Sequence, residues 1–163
     1  MRVKGAFARL CVSMNEELVP VLNSAGFSSS DTPFRWDEVR YEFRRGRSEG
    51  VEVVAVLFNR KREALFSVQL YIEPGEGVPA FLAAGGTLHV ATLSAIRTWW
   101  PMGVVPFRAA PTLFDRLRGH RGTDVARPIQ QFAALLPHAE HWFRDRTGSR
   151  FIVDGRLAVH RPA

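Results

Sequence analysis

Between residues 39 and 73 the apolar side chains stop recurring at helical spacing and alternate instead. Val39, Tyr41 and Phe43 interleave with Arg40, Glu42 and Arg44, and the same alternation starts at Phe34, Arg35 and Trp36. After a polar turn over Gly46 to Gly50, residues 51–58 are apolar on both faces beyond Glu52. A charged turn from Asn59 to Glu63 follows. In residues 64–73, Phe66, Val68, Leu70 and Ile72 then alternate with Ser67, Gln69 and Tyr71. A period of two marks a strand with one buried face, and a continuous apolar run marks a central strand covered on both sides. Turns this short join antiparallel neighbours, so the pattern predicts a meander.

Helical periodicity brackets this core. Val3, Phe7, Leu10, Cys11, Met14, Leu18, Val21, Leu22 and Ala25 predict an amphipathic helix over 3–25. Pro20 predicts a kink, Ser13 and Glu16 have capping-box spacing, and Gly26 suits a left-handed end. Downstream, Thr123 or Asp124 can cap a helix carrying Ile129, Phe132, Leu135, Leu136, Ala139 and Phe143 on one stripe. Pro137 either kinks that helix or starts a second one, and Gly148 ends it. The stretch 74–86 reads as a loop with a short helical turn near 80–84, and 87–93 as a further strand. Residues 96–110 read as strand or irregular, and 111–119 as a short helix. Phe151 to Val159, around Asp154-Gly155, predicts a terminal hairpin. The expected fold is α+β. A twisted antiparallel sheet of about five or six strands carries the N-terminal and C-terminal helices packed on one face, in a single domain over 1–163.

The chain is long enough, at 163 residues, to hold a core without disulfides, and 46% hydrophobic residues argue against disorder. No apolar run is long enough to span a bilayer. One cysteine, Cys11, excludes an internal disulfide and a multi-cysteine zinc site, and the N-terminus does not read as a signal peptide. The expectation is a soluble cytoplasmic protein with no membrane association. The net charge is +6, and all but Lys4 and Lys61 of the 22 cations are arginine. That balance suits acidic partners or nucleic acid, and equally a basic but merely solvated surface.

The order of helix, Gly26-Phe27, polar link, Phe34-Arg35-Trp36 and antiparallel strands ending Phe66-Ser67-Val68-Gln69-Leu70 resembles a family of uncharacterised bacterial α+β domains. Arg97-Thr98-Trp99-Trp100 and the Leu136-Pro137 helix look similar as well. The resemblance spans about residues 15–145. It implies the fold and brings no catalytic residue or cofactor to this chain.

Catalytic signatures are sparse. There is no Gly-x-Ser-x-Gly elbow and no phosphate-binding glycine loop. Cys11 sits on an apolar stripe, where burial makes a thiol inert. His138, Glu140 and His141, with Asp145 four residues on, place two imidazoles and a carboxylate on one helix face and make a candidate for a metal-dependent hydrolase. The spacing is not that of zinc proteases. Exposed histidines on a solvated face explain it too. The other candidate is the sheet's second face. Arg40 and Arg44 should share it with Gln69 and Tyr71, and Arg97, Trp99 and Trp100 could add an aromatic anchor. Such a face suits a protein partner, or single-stranded nucleic acid. An ordinary wet sheet face is the alternative. The leading expectation is a non-enzymatic protein-binding module without a cofactor.

Overall fold

The computed structural model describes residues 5–29, 39–48, 50–59, 63–95, 97, 104–109, 117 and 124–157. Helix α1 (Ala6–Ser13) runs through a π-helical turn (Met14–Leu18) into α2 (Val19–Ser24). The wide turn is where Pro20 acts. Proline has no N–H and its ring crowds the carbonyl four residues back, and here Val19 N–H already bonds the carbonyl of Met14, five back. The capping-box spacing at Ser13 forms no cap: the helix runs through Ser13 at φ −61° and ψ −34°, its oxygen accepts no capping bond, and its hydroxyl donates to Glu17 at 2.6 Å. Gly26 takes a left-handed φ of 85°. Its N–H bonds Asn23 O and that of Phe27 bonds Leu22 O, so the last carbonyls are satisfied and Phe27 is turned into the core.

Among the described residues six strands form one antiparallel sheet. They are β1 (Arg40–Arg47), β2 (Gly50–Phe58), β3 (Leu65–Glu73), β4 (Leu88–Leu93), β5 (Phe107–Arg108) and β6 (Ile152–Leu157). The order is β1-β2-β3-β4-β6, with β5 paired to the start of β3. Helix α3 (Val78–Ala83) lies between β3 and β4, and α4 (Ala126–Asp145) between β5 and β6. The predicted fold class holds. The N-terminal helix and α4 cover one face, where Leu10, Met14, Leu18, Phe43, Val54, Phe66, Leu70, Phe132 and Trp142 share the main core. Burying each such side chain stabilises the fold by roughly 1.5–3 kcal/mol. The Asp124 carboxylate accepts from Ala126 and Arg127 N–H at 3.1 and 3.3 Å, the expected start of α4. Pro137 is carried inside a single 20-residue helix.

Two expectations at the C-terminal end fail. Arg146, not Gly148, takes the left-handed position after α4, at φ 54°. Residues 152–157 form one strand rather than a hairpin. The Asp154 carboxylate is held by Trp142 Nε1 at 2.8 Å, which fixes that side chain toward the core face. Gly155 stands opposite Val90, and a Cβ there would lie 3.2 Å from the Val90 carbonyl. The glycine serves close strand approach, not a turn.

Candidate functional site

Alternation along β1 sends Tyr41, Phe43 and Arg45 to the helix-covered face and Arg40, Glu42 and Arg44 to the other. On β3, Gln69, Tyr71 and Glu73 point to the same second face. Strand β2 lies between and contributes only Val53, Ala55 and their apolar neighbours there. Two strand spacings are about 9.6 Å. The small β2 side chains leave arginines of β1 free to reach across. Arg44 Nε donates to Glu73 at 3.1 Å, and Arg40 Nη2 donates to the Tyr71 hydroxyl at 3.2 Å. Glu42 ties the row together. It accepts from Arg40 Nε at 2.7 Å, from the Tyr71 hydroxyl at 2.8 Å, and from Arg44 Nη2.

Helix α3 stands beside this row. Val78 and Pro79 join Leu88 and Val90 of β4 as an apolar wall opposite the Arg40–Glu42–Arg44–Glu73 wall, and Gln69 and Tyr71 line the space between. The cleft holds about 300 Å³. The segment 74–86 thus forms one side of a concavity.

The electrostatics follow from this geometry. Burial pushes the Tyr71 hydroxyl up to about 12, reinforced by its bond to Glu42. Burial alone would raise Glu42, but donation from Tyr71 and Arg40 outweighs it and holds the carboxyl below its ordinary range. Burial alone would lower Arg40 and Arg44. Their bonds to Glu42, Tyr71 and Glu73 outweigh it and raise both. Two arginines face two carboxylates, so the row is formally neutral.

Four residues expected to share a face, Arg40, Arg44, Gln69 and Tyr71, line the one cleft. Arg97 is exposed and does not line the cleft, while Trp99 and Trp100 lie outside the described residues. Tyr71 does not present an open ring. It is 5% exposed, with the Arg40 guanidinium 5.8 Å from its centroid. Glu73 was not singled out as a site residue, although it continues the two-residue period of Gln69 and Tyr71. The contribution of α3 carried no signal in sequence, because a short turn reveals nothing of the face on which it folds.

The arginine next in sequence does something different. Arg45 Nη1 and Nη2 clasp both carboxylate oxygens of Glu140 on α4 at 2.7 and 2.8 Å. Its Nε bonds Glu52 at 2.7 Å, its Nη1 also reaches the Ala25 carbonyl at 2.6 Å, and its guanidinium lies 4.1 Å from the Phe27 ring. Glu140 therefore turns toward the sheet. His138 packs on Phe151 with ring centroids 4.9 Å apart. His141 Nδ1 lies 2.9 Å from Asp145, and its Nε2 lies 3.1 Å from the Thr147 hydroxyl. His141 and Asp145 are exposed and His138 is half-buried, all in the C-terminal half of α4, and none lines the cleft. Among the described residues no group of three His, Cys, Asp or Glu side chains is placed to hold a metal ion. Burial pushes the Cys11 thiol up to about 11, so it stays protonated at neutral pH. Among the described residues no helix is long and apolar enough to cross a membrane.

Comparison with known protein families, curated proteins and solved structures finds no match to this chain.

Proposed function

We propose that the protein is a non-enzymatic binding module that takes a protein partner on the second face of its sheet. The observation that carries this reading is the cleft between the Arg40–Glu42–Arg44–Glu73 row and the Val78, Pro79, Leu88 and Val90 wall. A polar wall with fixed hydrogen bonds facing an apolar wall is the composition of a protein-recognition site, with arginine among the residues that most often dominate binding. The row also weakens the nucleic-acid alternative. Its net charge is cancelled by Glu42 and Glu73, so it makes no continuous cationic track for a phosphate chain, and Tyr71 offers no open ring for a base to stack on. The same proposal places the protein in the cytoplasm, where a single free thiol is at home.

The test is capture of partners by tagged protein from its source cells, with nuclease present, compared with the variants Pro79→Arg and Arg44→Ala. We expect a stoichiometric protein partner that survives nuclease and is lost by both variants. Capture unchanged by either substitution would overturn the reading. Recovery of nucleic acid, with affinity falling steeply as salt rises, would replace it with the alternative.

A further inference from the structure

We infer that the cleft takes an extended acidic segment of its partner, with a carboxylate against Arg40 and Arg44 and a neighbouring apolar side chain against Val78, Leu88 and Val90. This inference rests on the proposed reading of the same face and specifies the chemistry it selects.

The argument is an inventory of hydrogen-bonding capacity. Arg40 uses Nε and Nη2, on Glu42 and Tyr71, and Arg44 uses Nε and Nη2, on Glu73 and Glu42. The Nη1 groups of both arginines carry no partner among the described residues. A guanidinium has five N–H donors, so each arginine keeps donors for a ligand. Glu42 is in the reverse position. Both oxygens of Glu42 are taken, and Glu73 is taken through one. The wall is neutral in charge, yet the unspent N–H donors of Arg40 and Arg44 outnumber the unspent acceptor sites, and those sites lie mostly on Glu73. An incoming lysine or arginine finds an untaken oxygen only on Glu73 and meets two exposed guanidinium groups beside it. An incoming carboxylate needs to displace nothing and forms charge-assisted bonds, which are the strong kind.

The exposures agree. Arg40 and Arg44 side chains are 43% and 41% exposed, whereas Glu42 is 17% exposed beneath them. A ligand meets the guanidinium groups before it meets the carboxylate. The apolar wall across the cleft adds the second requirement, since a carboxylate alone would leave it wet. At longer range, the net charge of +6 draws acidic chains toward the molecule. A nucleic-acid strand has the right sign but the wrong pattern. It needs an uninterrupted cationic track and open aromatic faces, and this wall sets Glu42 between its arginines and Glu73 beside Arg44.

The experiment is an NMR titration of the full chain, following backbone amides and arginine Nε–H signals. The probes are an acetylated hexapeptide of alternating Glu and Leu, its Gln–Leu and Lys–Leu counterparts, and a short oligothymidylate. We expect the Glu–Leu peptide to shift Arg40, Arg44, Val78 and Val90, and to bind about tenfold more tightly than the Gln–Leu peptide. Arg44→Gln should erase that preference while leaving the amide spectrum of the core unchanged. Equal binding of the Glu and Gln peptides, tighter binding of the Lys peptide, oligothymidylate on the same residues, or no shift at millimolar peptide would each overturn the inference. If the acidic peptide fails while partner capture still depends on Pro79 and Arg44, this inference falls and the reading of the face stands. If capture is also indifferent to those substitutions, the reading falls as well.

Discussion

Arg44 and Arg45 are neighbours in the chain and project from opposite faces of β1. Arg45 is 11% exposed and is matched to Glu52 at 7%, to Glu140 and to a backbone carbonyl. It fastens the sheet edge to α4 and to the end of α2. Arg44 is 41% exposed, and its carboxylate partners lie on its own sheet face. The same side chain therefore acts as a structural clasp on one face and as part of an accessible wall on the other. The difference is set by what lies above each face. Over Arg45 lies a 20-residue helix, and among the described residues the short α3 stands to one side of Arg44.

The sharpest way to break this comparison is Arg45→Gln. It leaves Glu52, 7% exposed, and Glu140 with only the longer pairings to Arg47 at 3.4 and 3.9 Å, and removing one partner of a buried pair costs about 3–5 kcal/mol. The expected outcome is a fall of that size in unfolding free energy by urea titration. A loss below about 1 kcal/mol would place Arg45 in the class of exposed pairs and dissolve the distinction.

Gly155→Ala is the next largest. The added Cβ would meet the Val90 carbonyl at 3.2 Å, and a backbone carbonyl in a ladder can give little. Overpacking of this kind costs roughly 1–3 kcal/mol. Amide exchange should quicken in β6 and β4 while β1 and β2 stay protected. Uniform protection across the sheet would mean the contact is not tight. Arg44→Ala comes third. Its ion pairs are exposed enough for solvent to screen them, so the cost should lie within about 0–1 kcal/mol. A cost equal to that of Arg45→Gln would erase the contrast between the faces.

The sheet was legible because one face is fully covered. Where Tyr41, Phe43, Phe66, Val68 and Leu70 are buried, a period of two is enforced and reads directly from sequence. The same alternation brought Arg40, Arg44, Gln69 and Tyr71 to one side. Local patterns could not reveal what depends on distant contacts. Asp154-Gly155 has the composition of a tight turn, yet Trp142 and Val90 hold it extended. Glu140 looked like a ligand beside two histidines, but Arg45, 95 residues away, claims both its oxygens. Tyr71 looked like an open aromatic, and α3 with Leu88 buries it. The alternation says which face a residue points to, not what folds over that face.

The smallest effect is also the most diagnostic of the exposed row, because it reads the Tyr71–Glu42 bond in solution. Tyr71 ionises near 12 in the folded chain, above its ordinary value of 10.0. The neutral phenol therefore contributes stability in full below pH 10, and that contribution is lost as pH rises toward 12. Glu42 behaves oppositely. Its folded value lies below the ordinary 4.5, so its contribution is present above that pH and is lost as pH falls through the depressed value. Tyr71→Phe removes the hydroxyl that donates to Glu42 and should raise the Glu42 carboxyl, followed by its side-chain carbon resonance. The same substitution should delete the phenolate absorbance that appears near pH 12. Glu42 titrating unchanged in Tyr71→Phe would show that the hydroxyl does not hold it. In that case Arg40 and Arg44 alone would organise the row, and the second face would resemble the Arg45 site in its chemistry while differing only in its exposure.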